Sequence, residues 1–325
     1  MPNVSASTHI MIGVSDMDAA LTLFRDRMEF RVEGDHEVSP SLKAAWKLPA
    51  DTQARMVDLS CKGYPVGRLR LVACTPTPTQ KVRIHSGPAP HDGAADIGCK
   101  AIDFYVADPI RPIYDMIREA GYETRSEPVL HELGDLVSEE FIFWGPDGVP
   151  LLLMVGHVHP EDHLRPGSPD GPFSEVATVS VVGESLEKTR AFYEETLGLE
   201  CVVESETPKA FVDKVNELTG TPKGTEIRWL VYAGKGEASG KILVIHFLGA
   251  STRRLKGRMR PGHLGFCLLT HETDDLDALH ARIAERGYEV VTEPCEVELA
   301  GETKRVMLAI GPNEEMFEFF EQAPA

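Results

Sequence analysis

Long apolar runs are missing from this sequence. No window approaches the roughly 18 uninterrupted apolar residues a membrane-spanning helix needs, so a membrane partner is not expected. Cysteine is scarce and scattered. The six thiols, Cys61, Cys74, Cys99, Cys201, Cys267 and Cys295, include no Cys-x-x-Cys pair, which argues against a zinc knuckle or a disulfide frame and reads as buried thiols in a reducing compartment. Positive charge is in deficit: 33 basic against 51 acidic side chains give a formal charge of -18, which repels phosphate backbones and sets nucleic acid aside. No acidic tail gathers that charge, so it is spread over folded surface. The opening Met1-Pro2-Asn3-Val4 lacks a basic stretch followed by an apolar one, so no leader peptide is expected and the cytoplasm is the expected location.

What is present is repetition. His9-Ile10-Met11-Ile12-Gly13-Val14-Ser15-Asp16, a short apolar run, leads into a helix-like segment carrying Leu21, Phe24 and Met28. The arrangement returns at Ala101 to Asp108 with Ile110 to Gly121, at Val176 to Ser185 with Leu186 to Leu199, and at His263 to Thr270 with Leu276 to Gly287. Later motifs repeat too. Ala120-Gly121-Tyr122-Glu123 with Glu127-Pro128 recurs as Arg286-Gly287-Tyr288-Glu289 with Glu293-Pro294, and Gly145-Pro146-Asp147-Gly148 recurs at the same offset as Gly311-Pro312-Asn313-Glu314.

Each first run is too short for a helix and reads as a strand, whereas the next segment has helical spacing, as in Leu186, Thr189, Phe192, Tyr193 and Leu197, stopped by Gly198. Three β-rich segments follow in each module, for example Glu226 to Tyr232 and Lys241 to Leu248. The expected fold class is therefore α+β, four βαβββ modules in two tandem domains, and 325 residues suffice for two cores. The boundaries expected are 1–156 for modules one and two, a Pro- and Gly-rich linker at 157–173, and 174–325 for modules three and four. Thr75 to Gly98 and Ser251 to Gly262 connect the modules within each half. The linker histidines His157, His159 and His163 sit on a poor scaffold for a precise metal site.

The motifs His9 to Asp16, Phe192-Tyr193-x-x-x-Leu197-Gly198 and Gly311-Pro312-Asn313-Glu314-Glu315-Met316-Phe317-Glu318 resemble the vicinal oxygen chelate superfamily over almost the whole chain. That superfamily includes glyoxalase I, bleomycin-resistance proteins, methylmalonyl-CoA epimerase and type I extradiol dioxygenases. The resemblance implies paired modules whose sheets form half-open barrels, with ligands from the first and last strands converging inside. Carried over by position, the first-strand sites are His9, Ala101, Ala177 or Thr178, and His263; last-strand sites are Leu152 in module two and Glu318 in module four. Module two thus lacks ligands altogether.

His9, His263 and Glu318 would form a two-histidine, one-carboxylate set suited to non-haem Fe(II), with open positions for substrate and dioxygen. Modules one and four would then pair, as in the hydroquinone-cleaving branch. This implies an oxidoreductase of aromatic compound catabolism, an extradiol-type dioxygenase acting on a small dihydroxylated aromatic. A competing geometry pairs modules three and four and uses His246 with His263 and Glu318.

Ring cleavage also needs an acid–base group. Leu308 stands where the hydroquinone-cleaving relatives place a tyrosine, so the role would pass to His246, Tyr232 or Arg228. Two other classes stay open: a glyoxalase-type isomerase, lyase or hydrolase using Mn, Zn or Ni as Lewis acid, and a non-catalytic small-molecule binder. Trp229, Phe247 and Phe319 would line the cavity or fill the core, and a homo-oligomer is compatible with the superfamily.

Overall fold

The computed structural model describes residues 3–83, 93–133, 136–157, 171–250 and 252–322. Residues 158–170, the body of the expected linker with His159 and His163, lie outside the described residues, as does Ser251 at the head of the later connector. Module one comprises β1 (His9–Gly13), α1 (Met17–Leu21), β2 (Arg31–Glu37), α2 (Pro40–Ala45), β3 (Gln53–Ser60) and β4 (Arg68–Thr75). Module two comprises β5 (Gly98–Val106), α3 (Arg111–Glu119), β6 (Val129–Leu133), β7 (Leu136–Trp144) and β8 (Pro150–Gly156). In module three, β9 (Phe173–Val182) and α4 (Leu186–Tyr193) precede β10 (Glu200–Glu206), α5 (Val212–Thr219), β11 (Glu226–Ala233) and β12 (Lys241–Leu248). Module four ends the chain with β13 (Gly265–Thr273), α6 (Leu276–Glu285), β14 (Val290–Leu299), β15 (Glu302–Ile310) and β16 (Met316–Glu321).

Local chemistry fixes where strand gives way to helix. Asp16, Ser185 and Asp275 are extended residues whose side chains accept from Ala19 N, Lys188 N and Ala278 N, satisfying amides that each new helix leaves free. α1 widens into a π-helical turn over Thr22–Arg27. Among the described residues no helix is long and apolar enough to cross a membrane.

Strand pairing crosses the halves of the chain. Sheet one runs β14-β15-β16-β13-β1-β4-β3-β2 and joins modules four and one; sheet two runs β10-β11-β12-β9-β5-β8-β7-β6 and joins modules three and two. The junctions are antiparallel, β1 on β13 and β5 on β9. Among the described residues no strand of module three pairs with a strand of module four. Helices and their flanking turns knit the sheets together: Phe30, after the first helix, meets Phe104 of β5 edge-on at 5.9 Å, and Phe192 of α4 lies 5.2 Å from Phe317 of β16. One apolar core therefore runs through both sheets.

Each curled sheet also has a short helix in one strand connection that reaches across to the partner module. α2 packs on β14 and β15, and α5 packs on β6 and β7. Gly220 ends α5 in the left-handed region, where a Cβ would strike the Arg125 guanidinium at 2.6 Å.

Two candidate sites in two curled sheets

The concave side of sheet one holds a buried charged cluster. Glu318 on β16 is fully buried; its Oε1 accepts from Trp46 Nε1 (2.6 Å) at the end of α2, and its Oε2 accepts from Thr270 Oγ1 (2.9 Å) on β13. Arg70 on β4 is 2 % exposed and donates through Nε (2.7 Å) and Nη2 (3.0 Å) to both oxygens of Asp58 on β3. Its Nη1 has no hydrogen-bond partner and faces Glu318 Oε2 at 3.7 Å. Burial pushes Glu318 above the ordinary carboxylate range, opposed by Arg70, Trp46 and Thr270. Asp58 is also penalised by burial, but Arg70 outweighs this and holds it low.

His9 opens β1 beside this cluster, at the edge of an opening of about 410 Å³ that Arg70, Thr270 and Lys304 also line. Burial, then Arg70, pulls its pKa down to about 3, so the imidazole is neutral.

The expected ligand triad does not assemble. His9 pairs with Thr270 across the β1–β13 junction, whereas His263 lies beyond the start of β13, against the far end of β1. The approach there is so close that a Cβ on Gly13 would sit 1.9 Å from the His263 carbonyl oxygen. Four residues of β1 separate the two histidines, about 13 Å of extended strand. His263 Nδ1 instead contacts Arg258 O at 2.7 Å. Counting back from the helix caps gives the reason. His9 stands seven residues before Asp16, and the residue seven before Asp275 is Leu268. The offset that takes Gly121 to Gly287 likewise takes Ala101 to Cys267, a residue skipped by the register shift in β13.

The acid–base candidates are also misplaced. On β11 and β12 the odd-numbered Trp229, Val231, Leu243 and Ile245 face the cavity of sheet two, so the even-numbered residues turn away from it. His246 lies 3.5 Å from Thr189 of α4, with burial lowering its pKa to about 4. Tyr232 stacks on Tyr193 at 4.8 Å and donates to Glu194, and Arg228 is paired with Glu206. Phe319 stacks on Phe317 in the core, Phe247 belongs to a smaller apolar cluster, and Trp229 is the aromatic that lines a cavity.

These residues do not fit an iron centre. A two-histidine, one-carboxylate site needs three converging donors, and among the described residues no three His, Cys, Asp or Glu side chains are grouped to hold a metal ion. The oxygens of Glu318 already accept from an indole and a hydroxyl and face a guanidinium.

Sheet two encloses something different: a cavity of about 580 Å³ walled by Ile142, Leu152, Met154, Trp229, Leu243 and Ile245. Asp103 of β5 lies in it, 2 % exposed. Its Oδ2 accepts from Thr178 Oγ1 (2.8 Å) and Ser180 Oγ (2.7 Å), while Oδ1 is buried with no partner. Burial drives the Asp103 pKa up to about 7; the two hydroxyls pull it down and Glu140 pushes it further up. Glu140 accepts from Ser138 (2.6 Å) and lies 3.1 Å from His131 Nε2. Burial disfavours the Glu140 carboxylate, but His131 outweighs it and holds the pKa low. Lys100 Nζ donates to Ala94 O (2.5 Å) and Thr219 O (3.0 Å), and burial holds its pKa well below that of a free lysine.

Comparison with known proteins agrees with this architecture. Residues 175–301 match the model of the Glyoxalase/Bleomycin resistance protein/Dioxygenase superfamily. Glyoxalase I from Zea mays superposes with a TM-score of 0.63 at 14% identity, covering 98% of this chain and 93% of that one. A Bacillus subtilis subsp. subtilis str. 168 protein provisionally assigned as a dioxygenase superposes with a TM-score of 0.62 at 14% identity, covering 100% of this chain and 87% of that one. No curated protein sequence matches this chain. The fold is thus that of two tandem glyoxalase-like units with curled sheets, and the family match covers residues 175–301.

Arg70, Asp58, Trp46, Thr270 and Asp103 escaped the sequence reading. The signal for Arg70 was present: Met11 and Thr270 both stand five residues before their helix-capping aspartates, and their parallel partners are Arg70 and Glu318.

Proposed function

We propose that this protein binds a small, largely apolar molecule bearing at least one hydroxyl or comparable polar group in the cavity of sheet two, with Asp103 as its polar anchor. The observation that carries this reading is the partnerless Oδ1 of Asp103, buried in a cavity of about 580 Å³. Ligand pockets of small molecules are of this size and character, apolar walls with few convergent polar groups. A buried oxygen without a partner is costly unless something else supplies the hydrogen bond. With a pKa of about 7, Asp103 can accept a hydrogen bond as carboxylate or donate one as acid. Trp229 lines the same cavity and supplies an aromatic neighbour for a ring, so a hydroxylated aromatic suits both features.

The extradiol reading, with Fe(II) on His9, His263 and Glu318 and dioxygen as co-substrate, is not favoured by this geometry, because those side chains do not converge. A hydroxylated aromatic survives from it as the ligand class.

Calorimetric titration with 1-naphthol and naphthalene tests the proposal. We expect 1-naphthol to bind at least tenfold more tightly than naphthalene, the preference to shrink in Asp103→Leu, and both to be lost in Leu243→Trp, which fills the cavity. Binding indifferent to both substitutions would place the site elsewhere.

A further inference from the structure

In sheet one the two last-strand positions related by the pairing of modules one and four are Arg70 and Glu318. Met11 pairs in parallel with Arg70 and Thr270 with Glu318, each first-strand residue standing five before the aspartate that caps the next helix. The buried Arg70 guanidinium therefore faces the buried Glu318 carboxylate at 3.7 Å. The guanidinium is nine-tenths or more buried, forks onto Asp58, and leaves Nη1 without a hydrogen-bond partner on the side of Glu318. Two buried or half-buried carboxylates and one fixed cation make an arrangement in which the cation already serves both acids from within. Trp46 closes it from α2.

We propose that the Arg70 guanidinium is the resident cation of the module one–four centre, standing where related strand arrangements would gather a divalent ion, and that it is the residue that excludes such an ion here. His9 and Glu318 are then leftover donors whose partner position is filled by a positive charge. A guanidinium repels a divalent cation and has no lone pair to give it. An imidazole at the same position would be a third donor beside His9 and Glu318.

Equilibrium dialysis of the full chain against Ni(II) tests this without reference to any activity. The wild type is expected to retain no nickel that Glu318→Gln removes. Arg70→His is expected to gain one equivalent, held at least tenfold more weakly when Glu318→Gln is added. Nickel bound by the wild type and lost in Glu318→Gln overturns the proposal, as does a folded Arg70→His that gains none. Should Arg70→His not fold, the melting temperatures of Arg70→Met, Glu318→Met and the double variant decide. The double variant's loss should fall short of the summed single losses by about 4 °C or more, because the charges are partners. Additive losses would show that Arg70 and Glu318 do not serve one another, and the proposal would fall.

Discussion

The two curled sheets share one plan and hold opposite contents. In sheet one a helix in the first hairpin connection delivers Trp46 onto Glu318, and Arg70 joins two carboxylates under it. In sheet two the corresponding connection carries α5, whose end contributes the Thr219 carbonyl to Lys100, and Leu152 and Leu243 occupy the last-strand positions that Glu318 and Arg70 fill in sheet one. Two long charged groups and an indole leave sheet one a polar opening of about 410 Å³; two leucines leave sheet two an apolar-walled cavity of about 580 Å³. Whether such a curl holds a charged cluster or an apolar pocket is decided by a handful of inward positions.

The sharpest test of that contrast is to remove the central charge. Arg70→Met leaves Asp58 and Glu318 facing each other without a cation and should cost about 3–5 kcal/mol in denaturant unfolding, whereas Leu243→Met in sheet two should cost less than about 1.5 kcal/mol. Equal losses would end the distinction between a charged and an apolar curl.

Next in size is a pH effect confined to sheet two. The folded Asp103 pKa, about 7, lies above its ordinary value, so the unfolded chain gives up this proton first as pH rises. The Asp103 contribution to stability is fully present below about pH 4, falls between about 4 and 7, and is level beyond that. Asp103→Asn keeps an acceptor for Thr178 and Ser180 but cannot ionise. At pH 8 it should exceed the wild type by roughly 2 kcal/mol, taking about 1.4 kcal/mol per unit and discounting for relaxation. A wild type less stable at pH 4 than at pH 8 relative to this variant would contradict the assignment.

The smallest effect belongs to His9. Its folded pKa of about 3 lies below the ordinary histidine value, so its contribution is present at neutral pH and lost as pH falls from about 6.5 toward 3. His9→Gln should change stability at pH 7 by no more than about 1 kcal/mol while softening the acid-induced loss in a thermal melt at pH 4. A large loss at pH 7 would give His9 a structural weight its contacts do not suggest.

The modular fold was legible because strand length, helical spacing and the capping aspartates are local signals, and Asp16 and Asp275 carry them into the structure unchanged. The site was less legible, for two reasons. His263 stands five residues before Leu268, the residue equivalent to His9, and lies outside β13, so nearness to the first strand did not make it a first-strand ligand. Alternation on a strand also divides residues into two faces without saying which is concave. His246 and Tyr232 fell on the helix side for that reason, while Asp103, inside the run Ala101 to Asp108, faces the cavity.

The nesting of the strands has a consequence for biosynthesis. β5 through β12 are contiguous in the chain, so every strand of sheet two has been made once Leu248 has been added, whereas β1 to β4 must await β13 to β16 to complete sheet one. On a ribosome building from the N-terminus, the pocket would be finished first and the older half-sheet would stay open-edged until the end. Arg70, made early, would then hold its second face toward empty space until β16 brings Glu318, so that ion pair forms only when the two ends of sheet one meet.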